Sequence, residues 1–163
     1  LRIQNGAGRG GWPLAWYLNI HARLLNGTQT DQDIKTMLTN SCARNFLNAR
    51  RVFQIDGNLG ATAGIAECLL QSHIALHFLP ALPVSWKDGY AKGLVARGGH
   101  EVDMKWQDGK LTEAVVKPRF NEKIEVVGEV MTVTCEGERI PVEKTDTGFA
   151  FVCEAGKIYR LIP

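Results

Sequence analysis

The chain has 163 residues, of which 45% are hydrophobic and 22% are charged, a balance typical of a globular protein. Its net charge of +2 is too small, and the Arg50-Arg51 pair too short a basic run, to indicate nucleic-acid binding. No apolar stretch is long enough to span a membrane, so no membrane span is predicted. Because the chain begins with Leu1 rather than Met, we expect the true N-terminus to lie elsewhere.

The first predicted element is a helix from about Pro13 to about Leu25. Proline suits the first turn of a helix, and Asn26-Gly27 predicts where this helix ends. Its apolar residues cover nearly the whole circumference, a pattern typical of a helix that is buried on several sides. A layered helical barrel would provide such burial, whereas a small three-helix unit would not.

The next residues predict two more helices. Asp31 is a candidate N-cap for a helix over about 32–39, and residues 40–52 are expected to form a loop. A third helix is predicted over about 61–72. A short buried strand is predicted over 76–79 because prolines follow it.

Beyond residues 83–88 the pattern changes to alternating strands and turns. Val102, Met104 and Trp106 share one strand face, and Asp108-Gly109 indicates a hairpin turn. Strands are predicted at 100–106, 111–116, 123–127, 130–135, 139–143, 148–153 and 157–162. The predicted fold class is therefore α+β, with helices in a domain over 1–84 and a small antiparallel β-sandwich domain over 85–163.

The most informative segment runs from Phe53 to Glu67, Phe-Gln-Ile-Asp-Gly-Asn-Leu-Gly-Ala-Thr-Ala-Gly-Ile-Ala-Glu. Asp56 stands between a hydrophobic run and a helix, where it is either a functional carboxylate or the N-cap of that helix. Gly60 and Gly64 leave one helix face without side chains, so another backbone can approach closely. Glu67 lies too far down the helix to form a catalytic pair with Asp56.

Several other motifs predict no cofactor and no metal. The residues 6–11 match GxGxxG, but no strand precedes them and no βαβ unit surrounds them. The four histidines and four cysteines have no metal-ligand spacing, and the cysteines are expected to be reduced, with Cys135–Cys153 the one pairing to check. Trp16 and Trp106 are expected in the core, whereas Trp12, beside glycines at a helix entrance, is a candidate for a site-facing role.

Four motifs, taken in order, resemble the bacterial α-L-fucosidases of glycoside hydrolase family 95. The similarity runs from about the first glycines to about Ala114, and the rest of the chain carries no assignable motif. The motifs are Gly11-Trp12-Pro13-Leu14-Ala15-Trp16 with Ala22-Arg23-Leu24; the Phe53–Glu67 segment; Leu69-Leu70-Gln71-Ser72-His73 with Leu79-Pro80-Ala81-Leu82-Pro83 and Trp86; and residues 92–103 leading into Trp106.

This resemblance implies the last helices of an (α/α) barrel catalytic domain followed by a β-rich domain. It implies an inverting enzyme that removes terminal, typically α1,2-linked, α-L-fucose from fucosylated oligosaccharides. Asp56 matches the aspartate that polarises water-activating asparagines in the family, and Trp12 and Asn58 are candidate substrate-binding residues. The general acid glutamate and the asparagines belong to segments upstream, so the isolated chain is expected to be an inactive fragment that needs the upstream portion of the same enzyme.

Departures from the family pattern leave alternatives open. Residues 50–52 stand where members often have His-Pro-Pro, Leu59 replaces a common Phe, and Gly11-Trp12-Pro13 replaces a common Thr-Gly-Trp-Ser. Activity on α-L-galactosides is one alternative. The other is a non-catalytic, carbohydrate-associated module. The sequence leaves the location open between cytoplasmic and secreted.

Overall fold

The computed structural model describes residues 10–48 and 52–163, which form two compact units. One unit comprises Leu1–Leu69 with Pro80–Ser85, and the other comprises Leu70–Leu79 with Trp86–Pro163. Helices make up the first unit, and the second contains antiparallel sheets. The prediction of an α+β fold is confirmed, and the division at residues 84 and 85 stays a prediction.

Helix α1 spans Gly11–Arg23 and has Pro13 in its first turn, as predicted. It ends because Leu25 adopts a left-handed conformation, with φ of 57°. The backbone N–H of Asn26 then donates to the carbonyl of His21 at 3.0 Å, which satisfies a carbonyl of the last turn. The helix therefore ends at Arg23, and the left-handed residue that turns the chain is Leu25, just before the predicted Asn26-Gly27 stop.

Helix α2 spans Gly27–Thr36 and continues into a π-helical turn, Met37–Ser41. The prediction that Asp31 caps this helix is wrong. Asn26 is the cap, and its side chain accepts a hydrogen bond of 3.0 Å from the backbone N–H of Gln29. The helix starts earlier than predicted because the turn that ends α1 places this capping side chain directly at the next helix.

Helix α3 spans Ile55–Leu69. It begins well before Ala61, the predicted start, and includes the glycines that would disfavour a helix on propensity alone. Close packing against α1 explains this difference, because the helix presents those glycines to its neighbour. The prediction that Gly60 and Gly64 leave a helix face open to close packing is confirmed, but side chains of α1 rather than its backbone are the nearest atoms.

The second unit contains three antiparallel sheets. Strands β1 and β2 form a small hairpin, β6, β10 and β9 form a second sheet, and β3-β4-β5-β11-β7-β8 is the order in the third. The strands are β1 Leu70–Gln71, β2 His77–Phe78, β3 Gly89–Val95, β4 Glu101–Gln107, β5 Lys110–Lys117, β6 Glu122–Val127, β7 Thr132–Cys135, β8 Glu138–Ile140, β9 Glu143–Lys144, β10 Gly148–Cys153 and β11 Tyr159–Ile162.

Most predicted strands are confirmed within a residue or two. Sequence analysis missed β3, and it missed β1, whose residues it assigned to the third helix. It also joined β8 and β9, which belong to different sheets on either side of Pro141. The Asp108-Gly109 turn is confirmed, with both residues at positive φ as a tight hairpin requires.

The core of this unit lies between its two larger sheets. Val102, Met104 and Trp106 are buried on one face of β4, as predicted. The rings of Phe151 on β10 and Tyr159 on β11 lie 5.4 Å apart, so side chains of the two sheets meet. This arrangement is a small β-sandwich.

The four cysteines are free thiols. Cys135 and Cys153 are not bonded to each other and lie on strands of different sheets. Cys68 is fully buried in the helical unit, and this burial raises the pKa of its thiol to about 11. A thiol with so high a pKa is almost entirely protonated near neutral pH and is therefore a poor nucleophile.

Candidate functional site

Asp56 is the second residue of α3 and its side chain is exposed. The N-cap interpretation is wrong, because the helix already begins at Ile55 and Asp56 lies inside its first turn. Gln54, just before the helix, accepts a hydrogen bond of 3.3 Å from the backbone N–H of Trp12 through its side-chain oxygen. Asp56 therefore stands where the first turn of α3 meets the first turn of α1.

Helices α1 and α3 pack closely along a line of glycines. A methyl group added to Gly64 would lie 2.7 Å from Cγ of Leu18, and one added to Gly60 would lie 3.0 Å from Cβ of Ala15. Asn19 on α1 donates a hydrogen bond of 2.8 Å to the carbonyl of Gly60. The contacts of Ala15 and Leu18 at the two glycines give Asp56 a rigid support, since neither helix has room to shift toward the other.

Asn48 fills the gap between the starts of the two helices. Its residue surface is only 3% exposed. A Cβ atom at either Gly11 or Gly57 would collide with its side-chain amide. The amide nitrogen also donates to Sδ of Met37 at 3.6 Å. The two glycines therefore make room for one buried amide directly beside the turn that carries Asp56.

Asn58 connects this turn to the 42–48 loop. Its Oδ1 accepts a hydrogen bond of 2.9 Å from the backbone N–H of Asn48, and its Nδ2 donates to the carbonyl of Phe46 at 2.9 Å. Both polar atoms of the side chain thus bond to the backbone of the loop. The role of Asn58 in binding substrate stays a prediction.

Trp12 and Trp16 lie one turn apart on α1, and both are exposed, at 57% and 55%. The prediction that Trp16 belongs to the core is wrong within this chain, because α1 buries the opposite face, which carries Leu14, Ala15 and Leu18. The prediction that Trp12 faces a site stays open, and its exposure leaves its indole available for contact.

Glu67 is engaged far from Asp56. Its carboxylate accepts two hydrogen bonds from Arg23, at 2.7 and 3.1 Å, in a bidentate pair. The rise of α3 separates Glu67 from Asp56 by roughly 16 Å. This separation exceeds the spacing of a glycosidase carboxylate pair, which argues against a pair of Asp56 and Glu67.

Two of the histidines form pairs with carboxylates. His21 Nδ1 lies 2.5 Å from Asp33, and His100 Nε2 lies 3.1 Å from Glu122. In residues 10–48 and 52–163, no three or more His, Cys, Asp or Glu side chains cluster in a way that could hold a metal ion. None of the helices in those ranges is long and apolar enough to cross a membrane.

Two family models together match almost the whole chain. The catalytic domain of glycosyl hydrolase family 95 matches residues 2–69, and the C-terminal domain of glycoside hydrolase family 95 matches residues 71–161. The chain belongs to glycoside hydrolase family 95. Asp56, Asn48 and Asn58 therefore all lie in the part that matches the family's catalytic domain.

Two curated relatives of this family 95 chain carry fucosidase names. Alpha-L-fucosidase 2 of Arabidopsis thaliana is 35% identical over 116 residues, which cover 63% of this chain and 14% of the relative. Probable alpha-fucosidase A of Aspergillus oryzae is 24% identical over 152 residues, covering 80% of this chain and 21% of the relative. The chain thus spans about a fifth of one relative's length and less of the other's, and these two relatives come from a fungus and a plant.

Sequence analysis missed Asn48 because nothing near it marks a site. It stands in the stretch expected to be a loop, and the two glycines that make room for it lie far away along the chain. Gly11 and Gly57 each stand at the start of a helix and are the signal in the sequence that a side chain could be buried there. They do not indicate which residue that is. Residues 6–9 of the GxGxxG match and Arg50 and Arg51 lie outside the described residues.

Proposed function

We propose that this chain is the end of the catalytic domain, together with the C-terminal domain, of an inverting α-L-fucosidase. The parent enzyme would hydrolyse terminal α1,2-linked α-L-fucosyl groups of oligosaccharides. The family membership and the fucosidase names of both relatives support the activity class. The helices of the first unit would complete an (α/α) barrel whose other helices lie upstream.

The position of Asp56 is the observation that carries this proposal. An exposed carboxylate stands at the start of a helix whose packing against α1 leaves little freedom to move. In an inverting reaction a water molecule attacks the sugar from the face opposite the general acid. A carboxylate beside an amide draws the amide N–H toward itself and increases electron density on the amide oxygen, which then accepts a proton of that water.

The remaining groups of the reaction belong to the upstream portion in this proposal. A glutamate there would protonate the leaving oxygen, and asparagine side chains there would hold the water. Asp56 acts in this role as a partner of the amide and does not itself transfer the proton. Its contribution depends on position, because weak bases become effective only when they are held at the correct distance.

The test is Asp56→Asn in the full-length enzyme, assayed on 2′-fucosyllactose and on the matching α-L-galactoside. We expect kcat to fall roughly 10²-fold or more, as for other supporting electrostatic groups. A structural acid in a first helix turn contributes only about 0.3–1 kcal/mol, so the melting temperature should change little. The ratio of the wild-type kcat/KM values for the two substrates decides between a fucosidase and a galactosidase.

Glu67→Gln is the matched control for this experiment. It neutralises an acid on the same helix, far from Asp56, and removes the pair with Arg23. We expect its kcat to stay within about twofold of wild type although it loses a surface ion pair. Near-normal kcat in Asp56→Asn would assign Asp56 to structure and remove the catalytic proposal.

A further inference from the structure

The 42–48 loop holds a strained residue that Asn58 contacts directly. Phe46 has a φ of 62°, in the left-handed region that a bulky residue rarely adopts. Within the loop, the backbone N–H of Phe46 donates to the carbonyl of Ala43 at 2.9 Å. The carbonyl of Phe46 then accepts from Nδ2 of Asn58. The interaction from α3 therefore helps to stabilise a conformation that costs free energy.

Asp56 is bracketed along the sequence by two hydrogen bonds to a single loop residue. Two positions before it, the backbone N–H of Gln54 donates to the carbonyl of Asn48 at 2.9 Å. Two positions after it, Oδ1 of Asn58 accepts from the backbone N–H of the same Asn48 at 2.9 Å. Asn48 is itself buried between the starts of α1 and α3. The turn with Asp56 is thus attached on both sides to a fixed point.

We infer that Asn58 is a positioning residue that fixes Asp56 by holding the 42–48 loop against the first turn of α3. This inference rests on the proposed function, because it gives Asn58 a role only if Asp56 acts in the reaction. The side chain suits the task, since it must offer one donor and one acceptor on a short stem. Aspartate would keep the acceptor but would set a negative oxygen against the carbonyl of Phe46.

Direct contact between Asn58 and the sugar is the competing role. Each polar atom of an amide has one further hydrogen-bonding position, so contact with the loop does not by itself occupy the whole group. The two roles differ in kinetics. Loss of a substrate contact that is made equally in the ground and transition states raises KM. Displacement of the Asp56 carboxylate lowers kcat instead.

The experiment compares Asn58→Ala, Asn58→Asp, Asn19→Ala and Asp56→Asn in the full-length enzyme. Asn19→Ala is the matched control, because Asn19 also uses a partly buried amide for two hydrogen bonds of 2.8 Å, one of them to Gly60 of α3. Its contacts lie further along the helices from Asp56. For each variant kcat, KM and the melting temperature are measured.

We expect Asn58→Ala to lower kcat at least about tenfold with KM within about twofold, since small misplacements at a reacting centre cost large factors. Asn58→Asp should lower kcat too, and it replaces the alanine variant if that variant does not fold. Asn19→Ala should lower the melting temperature comparably while kcat stays within about twofold of wild type.

Four results would overturn the inference. Equal kcat losses in Asn58→Ala and Asn19→Ala would show a general effect of loosened helix packing. A raised KM with unchanged kcat would make Asn58 a substrate contact. Near-normal kcat in Asp56→Asn would remove the proposed function and this inference together, whereas an impaired Asp56→Asn beside a normal Asn58→Ala would remove the inference alone.

Discussion

At the scale of single residues, uncharged groups determine where the candidate carboxylate stands. Gly11 and Gly57 leave space for the amide of Asn48, and Asn58 and Gln54 bond to its backbone. The sequence motif indicated Asp56 because the acid, the glycines and the amide are adjacent in the chain. It could not indicate Asn48, whose importance comes from contacts between residues that are distant in sequence.

In the β-sandwich, the least exposed member of an ion-pair network is the carboxylate of Glu113. Glu113 on β5 lies 3.1 Å from Nζ of Lys105 and 2.5 Å from Nη1 of Arg160, and its side chain is 19% exposed. The hydrogen bond from Lys105 lowers the pKa of Glu113 most strongly, burial opposes this shift, and Arg160 adds to the lowering. The net result is a pKa below the ordinary value of 4.5.

This shift predicts how stability depends on pH. A carboxyl whose pKa is lower in the folded state stabilises the fold above the unfolded pKa, and this contribution is lost as pH falls through the folded pKa. We expect Glu113→Gln to lower the melting temperature at pH 7 and to match wild type at a pH below the folded pKa.

Glu143→Gln is the control for that comparison, because Glu143 pairs with Lys123 at a more exposed position, 70% exposed at the side chain. Thermal unfolding followed by circular dichroism from pH 7 to strongly acidic pH measures both variants. A deficit of Glu113→Gln that stays constant across this range would contradict the assignment to Glu113 ionisation.

At the scale of elements, the strands were more predictable than the helices. Strand β4 alternates between its faces, so Val102, Met104 and Trp106 could be placed in the core from the sequence alone. The start of α3 could not be predicted, because Gly57, Gly60 and Gly64 disfavour a helix locally and are explained only by their contacts with Asn48 and with α1. The cap of α2 was misplaced for a similar reason, since the end of α1 determines where that helix begins.

The glycine line predicts the effect of Gly64→Ala. Alanine in place of glycine favours a helix by about 1 kcal/mol. The new methyl group would lie 2.7 Å from Cγ and 2.8 Å from Cδ2 of Leu18, which is fully buried, and overpacking of this kind costs about 1–3 kcal/mol. We expect a net loss of about 1 kcal/mol in the free energy of unfolding, measured by urea denaturation.

Ala63→Gly, at the exposed neighbouring position of α3, measures the helix preference by itself. Adding its cost to that of Gly64→Ala gives the packing cost at Gly64 alone. A stabilised Gly64→Ala variant would mean that α1 can move away from α3 at little cost. The packing of the two helices would then not hold Asp56 in a fixed position.

At the scale of the whole chain, the helical unit exposes many large apolar side chains. They include residues on both α1 and α3, and large exposed apolar patches mark surfaces that bind a partner. The exposed members of this unit among the described residues are Trp12, Trp16, Leu24, Leu25, Leu38, Phe46, Leu47, Val52, Phe53, Ile55, Leu59 and Val84. The sequence predicted a helix buried on several sides, and only one of those sides is covered here.

We therefore expect the isolated chain to bind the dye anilinonaphthalene sulfonate and to self-associate. Replacing Trp16 and Leu59 together with glutamine should lower the dye fluorescence and the associated fraction without lowering the melting temperature much, because both side chains are exposed. Val152→Gln, at an exposed apolar position of β10, should leave the dye fluorescence unchanged. A monodisperse wild-type monomer that binds no dye would contradict this expectation.

The chain leaves the helical unit after Leu69 and returns to it at Pro80–Ser85. This return limits where the chain can be joined to a related protein in a hybrid. The two family models meet between residues 69 and 71, which makes that point look like a natural seam for exchanging modules. Yet Pro80–Ser85 belongs to the helical unit: the carbonyl of Ala81 accepts from the fully buried hydroxyl of Thr30, and Ser85 donates to Asp31. In a hybrid joined at residue 70, Thr30 and Asp31 would face residues 80–85 of the other parent. Stable hybrids should therefore take residues 80–85 from the same parent as the helices.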